Sequence, residues 1–134
     1  MKQATNIFGV LGFAVLFFLT AAAQQASTVT SQTGKAACYS RRLVGHKTSS
    51  GERYDPNGLT AAHAHLPVGT RVKVINAQNG QAVVVRINDR LSAHAGGVII
   101  LDISRRACKE LKVGPSGETE VKLEVVSSAG TKPN

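Results

Sequence analysis

The segment Glu120-Val121-Lys122-Leu123-Glu124-Val125 alternates charged and apolar residues without a break. A period of two is the signature of a strand with one wet and one buried face, and it excludes an amphipathic helix here. The same alternation runs through Arg71-Val72-Lys73-Val74-Ile75, and Gln81 to Asn88 forms a mostly apolar strand. Between these two lies Asn79-Gly80, a pair suited to the positive φ of a hairpin turn. Glu120 and Glu124 should share the solvent face of their strand. Ser104 can cap a short helix from Arg105 to Lys112, with Ala107, Cys108 and Leu111 turned inward and Gly114 at the exit. Many short strands and one small helix predict a compact, mainly β barrel rather than a parallel α/β sheet.

The material available for its core is unusual. Lys2, the apolar run from Ile7 to Leu19 and the small residues Ala21-Ala22-Ala23 read as an export signal over 1–23. Ile7 to Ala23 is at the lower limit for crossing roughly 30 Å of hydrocarbon, so cleavage is expected, leaving no stable membrane anchor. All four Phe residues lie in this run, and the mature chain keeps only Tyr39 and Tyr54 as aromatics. Its core must come from Val, Ile, Leu and Ala. Residues 24–35, rich in Ser, Thr, Gln and Ala, read as a disordered lead-in, 36–126 as the folded domain and 127–134 as a flexible tail.

Cys38 and Cys108 are the only cysteines. Export would place them where a disulfide persists, which favours a bond over two separate buried thiols. Loss of Lys2 takes the formal charge from +8 to +7. The basic residues are scattered and carry no nucleic-acid motif, so an anionic wall polymer fits this charge better than nucleic acid does.

Eight carboxylates make elimination useful. Glu110, Glu118, Glu120 and Glu124 fall on the helix, a turn or the solvent face of a strand, which leaves Glu52, Asp55, Asp89 and Asp102. Asp89, between Asn88 and Arg90 at a strand end, can close an Asx-type turn, pair with Arg90 or do chemistry. Glu52 after Ser50-Gly51 can be an ordinary loop carboxylate, and His63 a neutral turn residue bonding backbone. His63-Ala64-His65 offers two imidazoles, but a catalytic zinc site needs a third protein ligand, which His46, His94 or a carboxylate would have to supply and nothing in the sequence fixes, so neither metal nor other cofactor is expected.

Four ordered segments carry a resemblance: Lys47 to Asp55 (KTSSGERYD), Leu59 to His63 (LTAAH), Leu66 to Val72 (LPVGTRV) and Val83 to Arg90 (VVVRINDR), followed by Asp102-Ile103-Ser104 and the Ala-containing helix. Together they resemble the rare lipoprotein A (RlpA) family over about Ala36 to Val126. The resemblance implies a six-stranded double-psi β-barrel with one or two short helices, exported to the periplasm or cell wall. It also implies lytic transglycosylase activity on peptidoglycan glycan strands stripped of stem peptides, with division or cell-wall proteins as possible partners. Many members carry a further peptidoglycan-binding repeat, which is not legible in this sequence.

Position by position, Glu52, His63 and Asp89 match the family's proposed active-site residues, with Tyr54, Asn88, Arg90 and Asp102 on the substrate side. In the lytic reaction one carboxyl protonates the bridging oxygen and then takes the proton of the muramoyl C6 hydroxyl as it closes on C1. Asp89 is expected in that role with a raised pKa. His63 would bond substrate or tune Asp89, Glu52 would orient or assist electrostatically, and sugar stacking would rest on Tyr39 and Tyr54. A second carboxylate, Glu52 or Asp102, would allow hydrolysis instead, and Asp102 also resembles the acidic position of endoglucanases and expansins of this fold. A non-catalytic, expansin-like wall-binding module is the alternative. The chain departs from many relatives in Leu91-Ser92-Ala93 after Arg90, in a longer path through His94-Ala95-Gly96-Gly97, and in its two cysteines.

Overall fold

The computed structural model describes residues 31–92 and 98–129. The export signal, most of the expected lead-in, the loop His94 to Gly97 and the last residues of the tail lie outside the described residues. Six strands form a closed barrel: β1 (Ser31–Cys38), β2 (Thr60–Ala62), β3 (Arg71–Asn76), β4 (Ala82–Asp89), β5 (Ile99–Ile103) and β6 (Glu118–Ser127). Their order around the wall is β1-β5-β2-β4-β3-β6. The pairs β1/β5 and β2/β4 are parallel and the remaining four are antiparallel. Closure leaves no sheet edge for pairing with other chains.

The period-two segments become β3, β4 and β6. Val72, Val74, Val85, Ile87, Leu101, Ile103 and Leu123 point inward and are fully or almost fully buried. Glu120 is exposed and Glu124 partly so, on the outer face as their spacing requires. Gly80 closes the β3/β4 turn at φ +74°.

Two boundaries differ from expectation. Ser31–Lys35, expected in the lead-in, belong to β1, where they pair with Glu120–Glu124 of β6. Their own composition is polar, and it is the partner strand that orders them, since a ladder satisfies backbone groups whatever the side chains are. At the other end β6 runs to Ser127, the first residue of the expected tail.

Helix α1 (Arg105–Glu110) starts where Ser104 accepts the Ala107 N–H. It stops at Leu111, and the positive-φ residue is Lys112 (φ 52°) rather than Gly114. Asn76 and Asn79 explain the early stop: their side-chain amides donate to the Leu111 carbonyl at 2.9 and 3.0 Å and satisfy it outside a helix. Cys38 and Cys108 are bonded, tying the end of β1 to α1.

Candidate active site

Strand β4 ends at Asp89, and the loop before β2 folds back against that end. Within this loop Lys47 and Arg53 form an antiparallel bridge, Thr48 donates its N–H to the Glu52 carbonyl at 2.7 Å, and Gly51 turns at φ +85°. Ser50 then donates to the Asn88 carbonyl at 3.2 Å, which fixes the loop along β4. Ser49 is thereby delivered to Asp89: its N–H and its hydroxyl both donate to Oδ1, at 2.9 and 2.7 Å. The Arg90 N–H donates to the same oxygen at 2.8 Å, and the Tyr39 hydroxyl donates to Oδ2.

Partial burial pushes the Asp89 carboxyl upward, but these donors outweigh it and hold the pKa below the ordinary aspartate value. The raised pKa expected of an acid is therefore reversed in the free protein. Tyr39 moves the opposite way, pushed up by burial, by its bond to Asp89 and by the Asp89 and Asp102 charges.

Glu52 sits nearby on a different partner. Arg86 grips it with two nitrogens, at 2.6 and 2.8 Å, and the Asn88 amide approaches at 3.5 Å. Arg86 holds the Glu52 carboxyl below its usual range despite a small opposing effect of burial. Such a two-pronged pair fixes geometry, although an exposed pair adds little stability.

His63 is buried at the end of β2. Nδ1 accepts the N–H groups of His65 and Leu66, each at 3.0 Å, and Nε2 lies 2.9 Å from Gln32 Oε1. With Nδ1 accepting, the proton resides on Nε2, and burial, His65 and Arg90 lower the pKa. Only the backbone links it directly to Asp89, through its N–H to the Asp89 carbonyl at 3.2 Å. In the free protein the imidazole bonds the 63–66 turn and Gln32. Arg90 serves the same turn: its guanidinium donates to the carbonyls of His63 and Leu66.

The expected sugar platform also changes. Tyr39 and Tyr54 are 7% and 4% exposed and stack on each other, with centroids 4.6 Å apart. Tyr54 accepts the Arg105 N–H on its hydroxyl. Neither ring has a free face for a pyranose, so Tyr54 supports the site from behind. Asn88 is likewise buried. Asp102 is half-buried on β5 and its charge acts on Tyr39.

Tyr39, Ser49 and Arg86 were not singled out as polar partners by sequence. Ser49 and Arg86 do fall inside the ordered segments that carried the family resemblance, and Tyr39 is one of two aromatics left in the mature chain.

A family model described as lytic transglycolase (DPBB_1) matches residues 31–123. An endolytic peptidoglycan transglycosylase RlpA of Neisseria meningitidis is 44% identical over 103 residues, 77% of this chain and 42% of that protein. The RlpA of Vibrio cholerae is 42% identical over 104 residues, 77% of this chain and 39% of that protein. The chain thus spans less than half the length of these curated relatives. Among solved structures, the apo expansin of Clavibacter michiganensis superposes with a TM-score of 0.58 at 19% identity, over 76% of this chain and 53% of that one. The Streptomyces papain inhibitor does so with 0.55 at 20%, over 75% and 98%. At such identities the superpositions establish the barrel alone, which proteins of unlike activity share. The chain belongs to the lytic transglycolase family of double-psi β-barrel domains.

Proposed function

We propose that this chain is an exported lytic transglycosylase acting on peptidoglycan glycan strands. It would cleave the MurNAc–GlcNAc bond, with a preference for strands stripped of stem peptides, and leave 1,6-anhydro ends. The observation that carries the reading is the Asp89 carboxylate, held in one orientation by Ser49, Arg90 and Tyr39 at the end of β4. A strand laid over this half-buried group removes water from it. Burial is already the largest single influence on its pKa and acts upward, so substrate moves Asp89 toward the protonated form that acid catalysis needs. The carboxyl then protonates the bridging oxygen, and as carboxylate takes the C6 hydroxyl proton while that oxygen closes on C1. Glu52 keeps Arg86 and the 48–52 loop in place, and His63 with Arg90 sets the neighbouring turn.

The disulfide fits an oxidising compartment such as the periplasm or cell wall. Division or wall proteins are the protein partners to seek there. A second reading, a glycan-binding module without turnover, is favoured by the donors that keep Asp89 ionised in the free protein.

Digestion of denuded sacculi followed by mass analysis separates the two. Anhydro-ended fragments from the wild type, lost in Asp89→Asn, support the enzyme. Sedimentation with sacculi without release of fragments supports the binding module, and a protein that does neither refutes both.

A further inference from the structure

A hollow of about 440 Å³ has a charged lining that, among the described residues, is entirely cationic: Arg41, Arg105 and Lys109, beside the Cys38–Cys108 bond. Arg41 opens the short 3₁₀ turn Arg41–Leu43, two residues after Tyr39, while Arg105 and Lys109 lie on α1. The nearest acid on the helix, Glu110, is taken by Arg106 at 3.1 Å. With three cationic residues lining one hollow, an oxyanion entering it meets charge of the opposite sign.

The hollow is also rigid. The disulfide joins its two walls, and the Cys38 N–H donates to the Gly117 carbonyl at 2.9 Å. Two guanidiniums on separate walls suit a planar carboxylate, which each can grip through parallel N–H groups.

The cavity is physically joined to the Asp89 region. Arg105 donates its N–H to the Tyr54 hydroxyl, Tyr54 stacks on Tyr39, and Tyr39 donates to Asp89. We propose that this cationic hollow is a second binding site, taking a carboxylate of the same glycan strand that lies on Asp89. The occupant rests on the reading of the chain as a glycan-strand protein. A strand stripped of stem peptides bears a free lactyl carboxylate on every muramoyl residue, so it can present one charge to the hollow while a neighbouring linkage lies at Asp89.

Binding is measured by titration calorimetry on Asp89→Asn protein, which leaves the strand intact, with denuded glycan strands, neutral N-acetylglucosamine oligomers and inorganic phosphate as separate probes. The proposal expects Arg41→Gln/Arg105→Gln/Lys109→Gln to weaken denuded strands by about tenfold or more and to leave the neutral oligomers unchanged. It also expects strand binding to weaken with added salt. Arg41→Gln alone, which leaves α1 intact, should give part of the loss. Equal strand affinity with and without the three cations overturns the proposal, and so does a hollow that responds to phosphate but not to strands. Turnover is read separately in the Asp89-containing protein. Cation-dependent strand binding without anhydro product sinks the catalytic reading alone, and unchanged KM in the triple variant with normal product sinks this one alone.

Discussion

Asp89 and Asp102 flank one residue: Ala62 of β2 pairs with Asp89 on β4 and with Asp102 on β5. Two strand spacings separate their backbones, roughly 10 Å, a separation that invites comparison with the carboxyl pairs of inverting hydrolases. Asp89 is the carboxylate that Ser49 and Arg90 orient, and the acid–base role proposed above is assigned to it. Asp102→Asn is therefore expected to lower release of anhydro fragments by less than about tenfold, against the 10²–10⁴-fold that general acid–base groups typically contribute. Reducing-end analysis of the fragments checks this; loss of all activity with reducing ends in the wild-type products would mark a hydrolase using both acids.

Tyr39 is one of the donors that hold the Asp89 pKa low against the effect of burial. Tyr39→Phe removes a donor that favours the carboxylate, so the Asp89 pKa rises. If protonated Asp89 starts the reaction, the alkaline limb of the kcat/KM profile moves to higher pH. The Phe ring keeps the stack on Tyr54, so a thermal midpoint near that of the wild type is expected alongside the altered profile.

His63 holds the 63–66 turn through Nδ1. His63→Ala leaves the N–H groups of His65 and Leu66 without their acceptor, at a cost of about 1–3 kcal/mol, measured by urea unfolding. Its lowered folded pKa also sets a pH dependence. The unfolded chain takes up the proton first, so stability declines as pH falls below about 6.5, the ordinary histidine value, until the folded pKa is passed. The variant should show a flatter curve across that window.

The Cys38–Cys108 bond spans a sequence separation of 70. Opening a loop of this size costs about 4 kcal/mol by chain-entropy estimates. Unfolding with and without reductant checks this, with intact mass under non-reducing conditions to count the bond. Two freely alkylated thiols in periplasmically expressed protein would contradict it.

Glu52 and Asp89 are both held low, by Arg86 and by the Ser49, Arg90 and Tyr39 donors respectively. Each contributes stability that is present above the unfolded carboxylate values near pH 4 and lost as pH falls through the folded ones. Arg86→Met should remove the Glu52 share, seen as a shallower loss of the thermal midpoint on acidification.

Local pattern was enough for much of the barrel. Alternation in 71–75 and 120–125 specified which residues point inward, Asn79-Gly80 marked the hairpin, and Ser104 marked the helix start, because each depends on neighbours within a few positions. Ordered segments resembling a family pointed to Glu52, His63 and Asp89 as candidates, with Asp89 as the candidate acid. What no local pattern contained was the surroundings of those groups. Asp89 meets Ser49 and Tyr39, 40 and 50 residues away, and their hydrogen bonds reverse the sign of its pKa shift. Gln32, 31 positions from His63, completes the contacts of its ring, and β6 orders the polar residues at the start of β1. Sequence by itself determined the faces of the strands and the identity of the candidate acid. Barrel closure decided which dipoles and charges reach it, since electrostatic environment depends on distance in space and not on distance along the chain.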